Sequence, residues 1–341
     1  MKMNNTYKYI TNSKKGSLTK TPLKLESLDP NKVRVKISYV SIARGDIHMI
    51  DCDWGAKFKE GLTPGHEAIG EIIDIGQDVP KSYLGKKVGL GYQQSACFRC
   101  ETCISGLEQF CEYQKVAFYD DQGYLASHVD IDYRFCFQID DRLFNPQFVP
   151  MFSSGLTVFS AIKRANLKPG SRVAIFGFGG LGHIAAQILK ATGHEVSVIS
   201  HQEDKKAYAD KLKIDNFISY KGVKKMLDIE IDRKFDFVIS TVNVEFDAEK
   251  IISFLKPQGS LAVVGLPQSL IKISPTSLAD YAQKVVYGSY IGSIADMKDL
   301  IKFSLENDIR PIIEEYSGPI TPEILDRVRD MKVRFRLILK L

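Results

Sequence analysis

Between residues 172 and 266 the chain alternates short apolar runs with stretches of helical apolar spacing, and this alternation restricts the fold more than any other feature. RVAIFGF at 172–178, EVSVIS at 195–200, NFISY at 216–220, FDFVISTV at 235–242 and SLAVVGL at 260–266 are rich in β-branched residues, as strands covered on both faces are. HIAAQILKATG, KKAYADKLK and AEKIISFLK lie between them, with apolar residues at helical spacing and Gly or Pro near their ends. Right-handed crossovers between such elements give a doubly wound parallel sheet with helices on both faces, an α/β architecture.

The texture before residue 153 is different. KVRVKISYVSI, AIGEIIDIG, KKVGLGY and LASHVDIDYRFCFQI are short β-branched runs broken by Gly, Pro and Asp, which predicts a β-rich, barrel-like domain. After residue 290 come an amphipathic helix in ADMKDLIKFSLEND and then a helix and a strand in TPEILDRVRDMKVRFRLILKL. With 341 residues, 44% of them hydrophobic, the chain has material for two cores.

A net charge of +5 from 46 basic and 41 acidic residues, with no basic tract interleaved with aromatics, argues against a nucleic-acid partner. No apolar run approaches the roughly 20 residues that span a bilayer, so no membrane partner is expected.

Cys97, Cys100, Cys103 and Cys111 are spaced C-x2-C-x2-C-x7-C. Short turns let the first three sulfurs converge and the fourth returns to them, which suits a closed tetrahedral thiolate site for a structural zinc. The competing reading is two disulfides in a secreted protein. The polar opening MKMNNTYKYITNSKKG holds no apolar signal segment, and Cys52 and Cys136 are read as free buried thiols, so a reducing cytoplasm is expected.

Gly177, Gly179 and Gly182 form G-x-G-x-x-G, a weak signal alone. Here it follows a predicted strand and opens a predicted helix, so backbone N–H groups at the helix start can face a pyrophosphate. Gly177 would permit the tight turn, Gly179 the approach of phosphate and Gly182 the packing of helix on sheet. At the end of the second strand, where an acidic residue would bind the ribose 2′-hydroxyl of NAD, the chain has Ser200 and His201, with Lys205 and Lys206 beyond. This favours NADP(H) over NAD, although Glu203 and Asp204 weigh the other way.

Together, the four-cysteine lobe, PGHEAIGEI at 64–72, DWG at 53–55, FGFGGLG at 176–182, YGSYIGS at 287–293 and VRFR at 333–336 resemble the medium-chain dehydrogenases/reductases, specifically the zinc-type alcohol dehydrogenases near the cinnamyl alcohol dehydrogenase branch. The resemblance covers essentially the whole chain. It implies a GroES-like catalytic domain built from residues 1–152 and 290–341, with a structural zinc lobe at about 93–113, and a Rossmann nucleotide-binding domain at 153–289. It also implies homodimers paired through the nucleotide domains, and it adds Gly180, Leu181 and Thr157 to the cofactor-binding set.

The catalytic zinc of that family is held by two cysteines and a histidine. Its C-x-T/S-D-x-H pattern falls on Ala43-Arg44-Gly45-Asp46-Ile47-His48, and its C-A-G-x-T pattern on Ser153-Ser154-Gly155-Leu156-Thr157. Ala43 and Ser153 thus replace both thiolates, while His66 keeps the histidine position with Glu67 beside it. A hydroxyl is a poor substitute for a thiolate at zinc, so His66 and Glu67, even with Asp46 or Ser153, are expected to leave the catalytic zinc absent. The family's relay hydroxyl falls on Gly45, and His48, the far end of that relay, remains.

Hydride delivery to an already polarised carbon needs less help than alcohol oxidation, and one hydrogen bond to the developing oxyanion supports it. Ser153 and His48 are the candidate donors, and Trp54 resembles the family's pocket-lining aromatic. The expected activity is NADP(H)-dependent reduction of a small-molecule activated carbonyl or conjugated alkene. A conventional zinc alcohol/aldehyde dehydrogenase and a non-catalytic NADPH-binding protein are the alternatives.

Overall fold

The computed structural model describes residues 6–12, 16–52, 60–120, 122–220, 231, 234–267, 269–279 and 281–341. The chain divides into two compact units, one of Met1–Ser153 with Gly292–Leu341 and one of Ser154–Ile291.

In the first unit a seven-stranded sheet centres on Lys32–Ile42. Ala68–Ile75 pairs with that strand antiparallel, Lys87–Leu90 pairs with Ala68–Ile75, and Cys136–Gln138 closes this side. His128–Asp132 also pairs with the central strand. On the other side the chain's last strand, Leu337–Lys340, sets Leu337 opposite Ile42 and carries Glu314–Tyr316 parallel at its outer edge.

The alternation of KVRVKI is broken at Arg34, which is buried because its guanidinium bonds both carboxylate oxygens of Asp130, at 2.8 and 2.7 Å. A register shift between Ile37 and Tyr39 then moves Val40 and Ile42 to the core. The core of this unit gathers Val33, Val35, Ile72, Val88, Leu125 and Ile131 with Leu337 and Leu339 from the chain's end. The polar opening of the chain, unassigned from sequence, forms an antiparallel pair of strands, Tyr7–Thr11 and Leu18–Pro22.

The second unit has the predicted parallel sheet. In spatial order its strands are Asn216–Ser219, Glu195–Ser200, Arg172–Phe176, Phe235–Ser240, Leu255–Val263 and Val285–Gly288, every neighbouring pair parallel. Numbered along the chain this is 3-2-1-4-5-6, the doubly wound order in which nucleotide binds beyond the carboxyl ends of the strands. The buried runs Val173–Phe176 and Phe237–Ile239 explain the unbroken hydrophobicity of these segments, since helices cover both faces.

One boundary differs from expectation: helix Ala248–Ser253 stops early and the following strand begins at Leu255. Leu255 pairs with Phe235 ahead of a bulge that absorbs Pro257 and Gln258, the latter at φ 62°. Pro and Gly at 257 and 259 had hidden that start.

Candidate functional site

The four cysteines converge. Cys103 rides on the single-turn helix Glu101–Ile104, and Cys111 ends the turn Glu108–Phe110. All four sulfurs lie within 4.8 Å of one another, with Cys97 to Cys103 and Cys100 to Cys111 each 3.9 Å apart. A disulfide needs about 2.05 Å, whereas four sulfurs about 2.3 Å from a tetrahedral zinc stand about 3.8 Å from one another. The set therefore fits zinc and excludes the paired-disulfide alternative in this arrangement.

Backbone N–H groups of Cys97 and Cys100 donate to the sulfurs of Cys111 and Cys97, both at 3.4 Å, as they would to thiolates. The Cys100 thiol is drawn down to about 6, first by the Thr102 hydroxyl and then by the Cys103 N–H. Burial pushes Cys103 up to about 12. Four thiolates together require a cation at the centre.

The glycine turn joins strand Arg172–Phe176 to helix Gly182–Ala191. Gly177 has φ +96°, and a Cβ there would stand 2.7 Å from Val242 Cγ1 and 2.9 Å from Thr241 Oγ1. Thr241 also donates to the Gly177 carbonyl at 2.8 Å, tying the turn to the next strand's end. A Cβ on Gly182 would lie 2.0 Å from the Gly177 carbonyl oxygen, so only glycine lets the helix start there. At Gly179 a Cβ would meet nothing within 4 Å. This open space beside the turn fits a dinucleotide's phosphates. Leu181 is the helix N-cap residue and Gly180 precedes it, so both lie in the turn.

Ser200 ends strand Glu195–Ser200, and its hydroxyl accepts from the Gln202 N–H at 3.2 Å. His201 is exposed, its ring 5.9 Å from Tyr220. Lys205 sits at the N-cap of helix Lys206–Lys211, whose Lys206 is paired with Asp210 at 2.8 Å. Thr157 lies in helix Ser154–Ala165.

The region aligned with the catalytic metal is built on helix Arg44–Asp51 and on the turn before Ala68–Ile75. Asp46 is fully buried. Its Oδ2 accepts from the Ala43 N–H at 2.8 Å, and its Oδ1 accepts from the Gly65 N–H at 3.0 Å and faces His66 Nδ1 at 2.8 Å. Gly65 makes this possible: it holds φ +96°, and a Cβ would stand 2.8 Å from the Leu125 backbone nitrogen.

Glu67, also fully buried, lies 3.6 Å from Arg336 Nη1. Burial pulls the His66 pKa down, but the charge and hydrogen bond of Asp46, helped by Glu67 and opposed by Arg336, carry it above the ordinary value. Arg44 Nε donates to His48 Nε2 at 3.3 Å, which makes that nitrogen an acceptor. Ser153, 8% exposed, closes the segment Pro146–Phe152. Trp54 lies outside the described residues.

Among the described residues, the four cysteines are the only group of three or more His, Cys, Asp or Glu side chains placed to hold a metal. Asp46, His66 and Glu67 do not form one. The Asp46 oxygens are engaged by His66 and two backbone donors, Glu67 faces a guanidinium, and no sulfur stands at 43 or 153. A catalytic zinc does not fit this set.

The chain matches the alcohol dehydrogenase GroES-like domain over residues 29–141 and the zinc-binding dehydrogenase domain over residues 180–306. It is 33% identical over 336 residues to a probable cinnamyl alcohol dehydrogenase of Saccharum officinarum, covering 95% of this chain and 90% of the relative. It is 29% identical over 340 residues to NADP-dependent alcohol dehydrogenase C 1 of Mycolicibacterium smegmatis, covering 97% and 96%. The solved structure of CAD from Helicobacter pylori complexed with NADP(H) superposes with a TM-score of 0.89 at 26% identity, covering 98% of this chain and 97% of that one. The chain therefore belongs to the zinc-type alcohol dehydrogenase family of the medium-chain dehydrogenases/reductases, near its cinnamyl alcohol dehydrogenase branch. It is an oxidoreductase with a GroES-like domain and a Rossmann domain.

Sequence reasoning did not assign roles to Arg336, Arg44 and Thr241. Arg336 lies in the VRFR segment singled out for resemblance, and a cation just before a terminal apolar strand was the signal available. The pairing of Asp46 with His66 had no local signal, because helix and turn meet only through the sheet.

Proposed function

We propose that this oxidoreductase uses NADP(H), carries one structural zinc on Cys97, Cys100, Cys103 and Cys111, and reduces an activated carbonyl or a conjugated alkene without a catalytic zinc. The observation that carries the reading is the donor set around His66, where two sulfurs are missing and the remaining carboxylates are engaged by a histidine, backbone N–H groups and an arginine. The cofactor reading is supported by the open space at Gly179, the uncharged end of strand Glu195–Ser200, the NADP-dependent relative and the NADP(H)-bound neighbour. When bound, the reduced nicotinamide supplies a hydride.

The chain's own task is to hold the substrate oxygen and stabilise the charge that develops on it. Without a Lewis acid the proton on the substrate oxygen is left to protein groups, and an already polarised carbonyl or enone needs the least such help.

The test is NADPH oxidation with cinnamaldehyde, which offers both a carbonyl and a conjugated alkene, by protein dialysed against a chelator until one zinc per chain remains. Undiminished turnover is expected. Loss of turnover restored by added zinc would overturn the reading, as would nucleotide binding with no turnover on any aldehyde or enone.

A further inference from the structure

We propose that Asp46 and His66 form an acid–base dyad in which His66 Nε2 exchanges the proton of the substrate oxygen. This rests on the metal-free reading above and assigns the proton chemistry that reading leaves open.

The geometry fixes which nitrogen is available. Two backbone N–H groups, from Ala43 and Gly65, donate to the Asp46 carboxylate, so it is an acceptor on both oxygens. The proton between Asp46 Oδ1 and His66 Nδ1, 2.8 Å apart, therefore belongs to the ring, and Nδ1–H is the donor. Nε2 is then the nitrogen that gains and loses a proton. It has no hydrogen-bond partner among the described residues, and 11% of the His66 side chain stays exposed. His48 is less suited, because its Nε2 already accepts from Arg44.

The charged and titratable groups facing the ring are Asp46 from its helix, Glu67 alongside and Arg336 from just before the terminal strand, with the Tyr92 ring edge-on at 6.4 Å. Two carboxylates against one guanidinium favour the imidazolium, and burial opposes it. A carboxylate that orients one imidazole nitrogen so that the other works at the substrate is a recurring arrangement for general acid–base catalysis.

In reduction the carbonyl carbon gains the hydride, the C–O π pair forms the new O–H bond with the proton from Nε2, and His66 is left neutral with Nδ1–H still on Asp46. NADPH is oxidised by two electrons, the substrate is reduced by two, and solvent returns one proton to Nε2. With a conjugated alkene the hydride adds at the β-carbon, and the pair displaced onto oxygen takes the same proton. Asp46 is the positioning residue and His66 the catalytic one.

The experiment compares wild type, His66→Gln and Asp46→Asn in their zinc-loaded form with NADPH and cinnamaldehyde. For His66→Gln, kcat is expected to fall about 10²–10⁴-fold while the NADPH Kd, read by nucleotide fluorescence, stays within about twofold. For wild type, reduction should decline as pH rises through the His66 pKa, and in Asp46→Asn that decline should move to lower pH.

Nitrogen-15 NMR of histidine-labelled wild type without nucleotide gives a readout independent of turnover. Nδ1 should stay protonated while Nε2 titrates, so the proposal can be judged even where Asp46→Asn does not fold. Kinetics of His66→Gln within about threefold of wild type, a proton on Nε2 with Nδ1 as the acceptor in the neutral ring, or an unmoved pH profile in folded Asp46→Asn would each overturn it. Two zincs per chain would instead defeat the metal-free reading, whereas one zinc with undiminished His66→Gln defeats the dyad alone.

Discussion

The polar cluster around His66, proposed above to move the substrate proton, also bears on stability. Its pKa is shaped by burial, which lowers it, and by Asp46 and Glu67, which together raise it past the ordinary 6.5. A histidine whose folded pKa is raised contributes stability that is fully present below its unfolded value and is lost as pH rises through the folded one. The urea midpoint should therefore fall as pH rises above 6.5 through the raised His66 pKa, and His66→Gln should flatten that fall. A slope unchanged in the variant would assign the pH dependence to other groups.

Arg336 makes a second test. Removing it takes the guanidinium from beside the fully buried Glu67, and breaking a buried pair from one side costs about 3–5 kcal/mol. Arg336→Met should lower unfolding stability by that amount in denaturant melts, and a loss under about 1 kcal/mol would mean Glu67 has found protonation or water instead. At this scale the losses at 43, 45 and 153 are legible in the sequence because each breaks a local pattern. The pairs Asp46–His66 and Glu67–Arg336 are not, because no local periodicity reports which distant segments a sheet brings side by side.

At the scale of elements, the glycine turn separates fold from ligand. Gly177→Ala places a Cβ at φ +96° against Val242 and Thr241, a strained position costing about 1–3 kcal/mol. Gly179→Ala adds a methyl where nothing lies within 4 Å, so its melting temperature should match wild type while the NADPH Kd rises about tenfold or more. Equal nucleotide affinity in Gly179→Ala would remove the phosphates from that space. The turn, its strand and its helix are legible because a switch of periodicity flanks the glycines. The start of Leu255–Val263 is obscured, since Pro257 and Gly259 read as a loop and only the pairing of Leu255 with Phe235 makes it a strand. The cysteine lobe is legible from spacing alone: its sulfurs meet through two short turns and need no distant partner.

For the whole molecule, the two textures of the sequence correspond to two compact units, and the chain's end returns to the first of them as strand Leu337–Lys340 beside Lys32–Ile42. The family resemblance implies pairing through the nucleotide-binding unit. Its outer strand Val285–Gly288 leaves Val285 52% exposed at the sheet edge, where a second copy can continue the ladder. Sedimentation should show a dimer, and Val285→Lys should shift it toward monomer.

This member of the zinc-type alcohol dehydrogenase family is proposed to keep the metal of its architecture and to have replaced the metal of its chemistry with protein groups. The most direct test is zinc stoichiometry by elemental analysis of active, metal-supplemented protein, alongside Ala43→Cys/Ser153→Cys. One zinc per chain is expected in wild type and a second in the double variant; two zincs per chain in wild type, with activity following the second, would rule out metal-free chemistry.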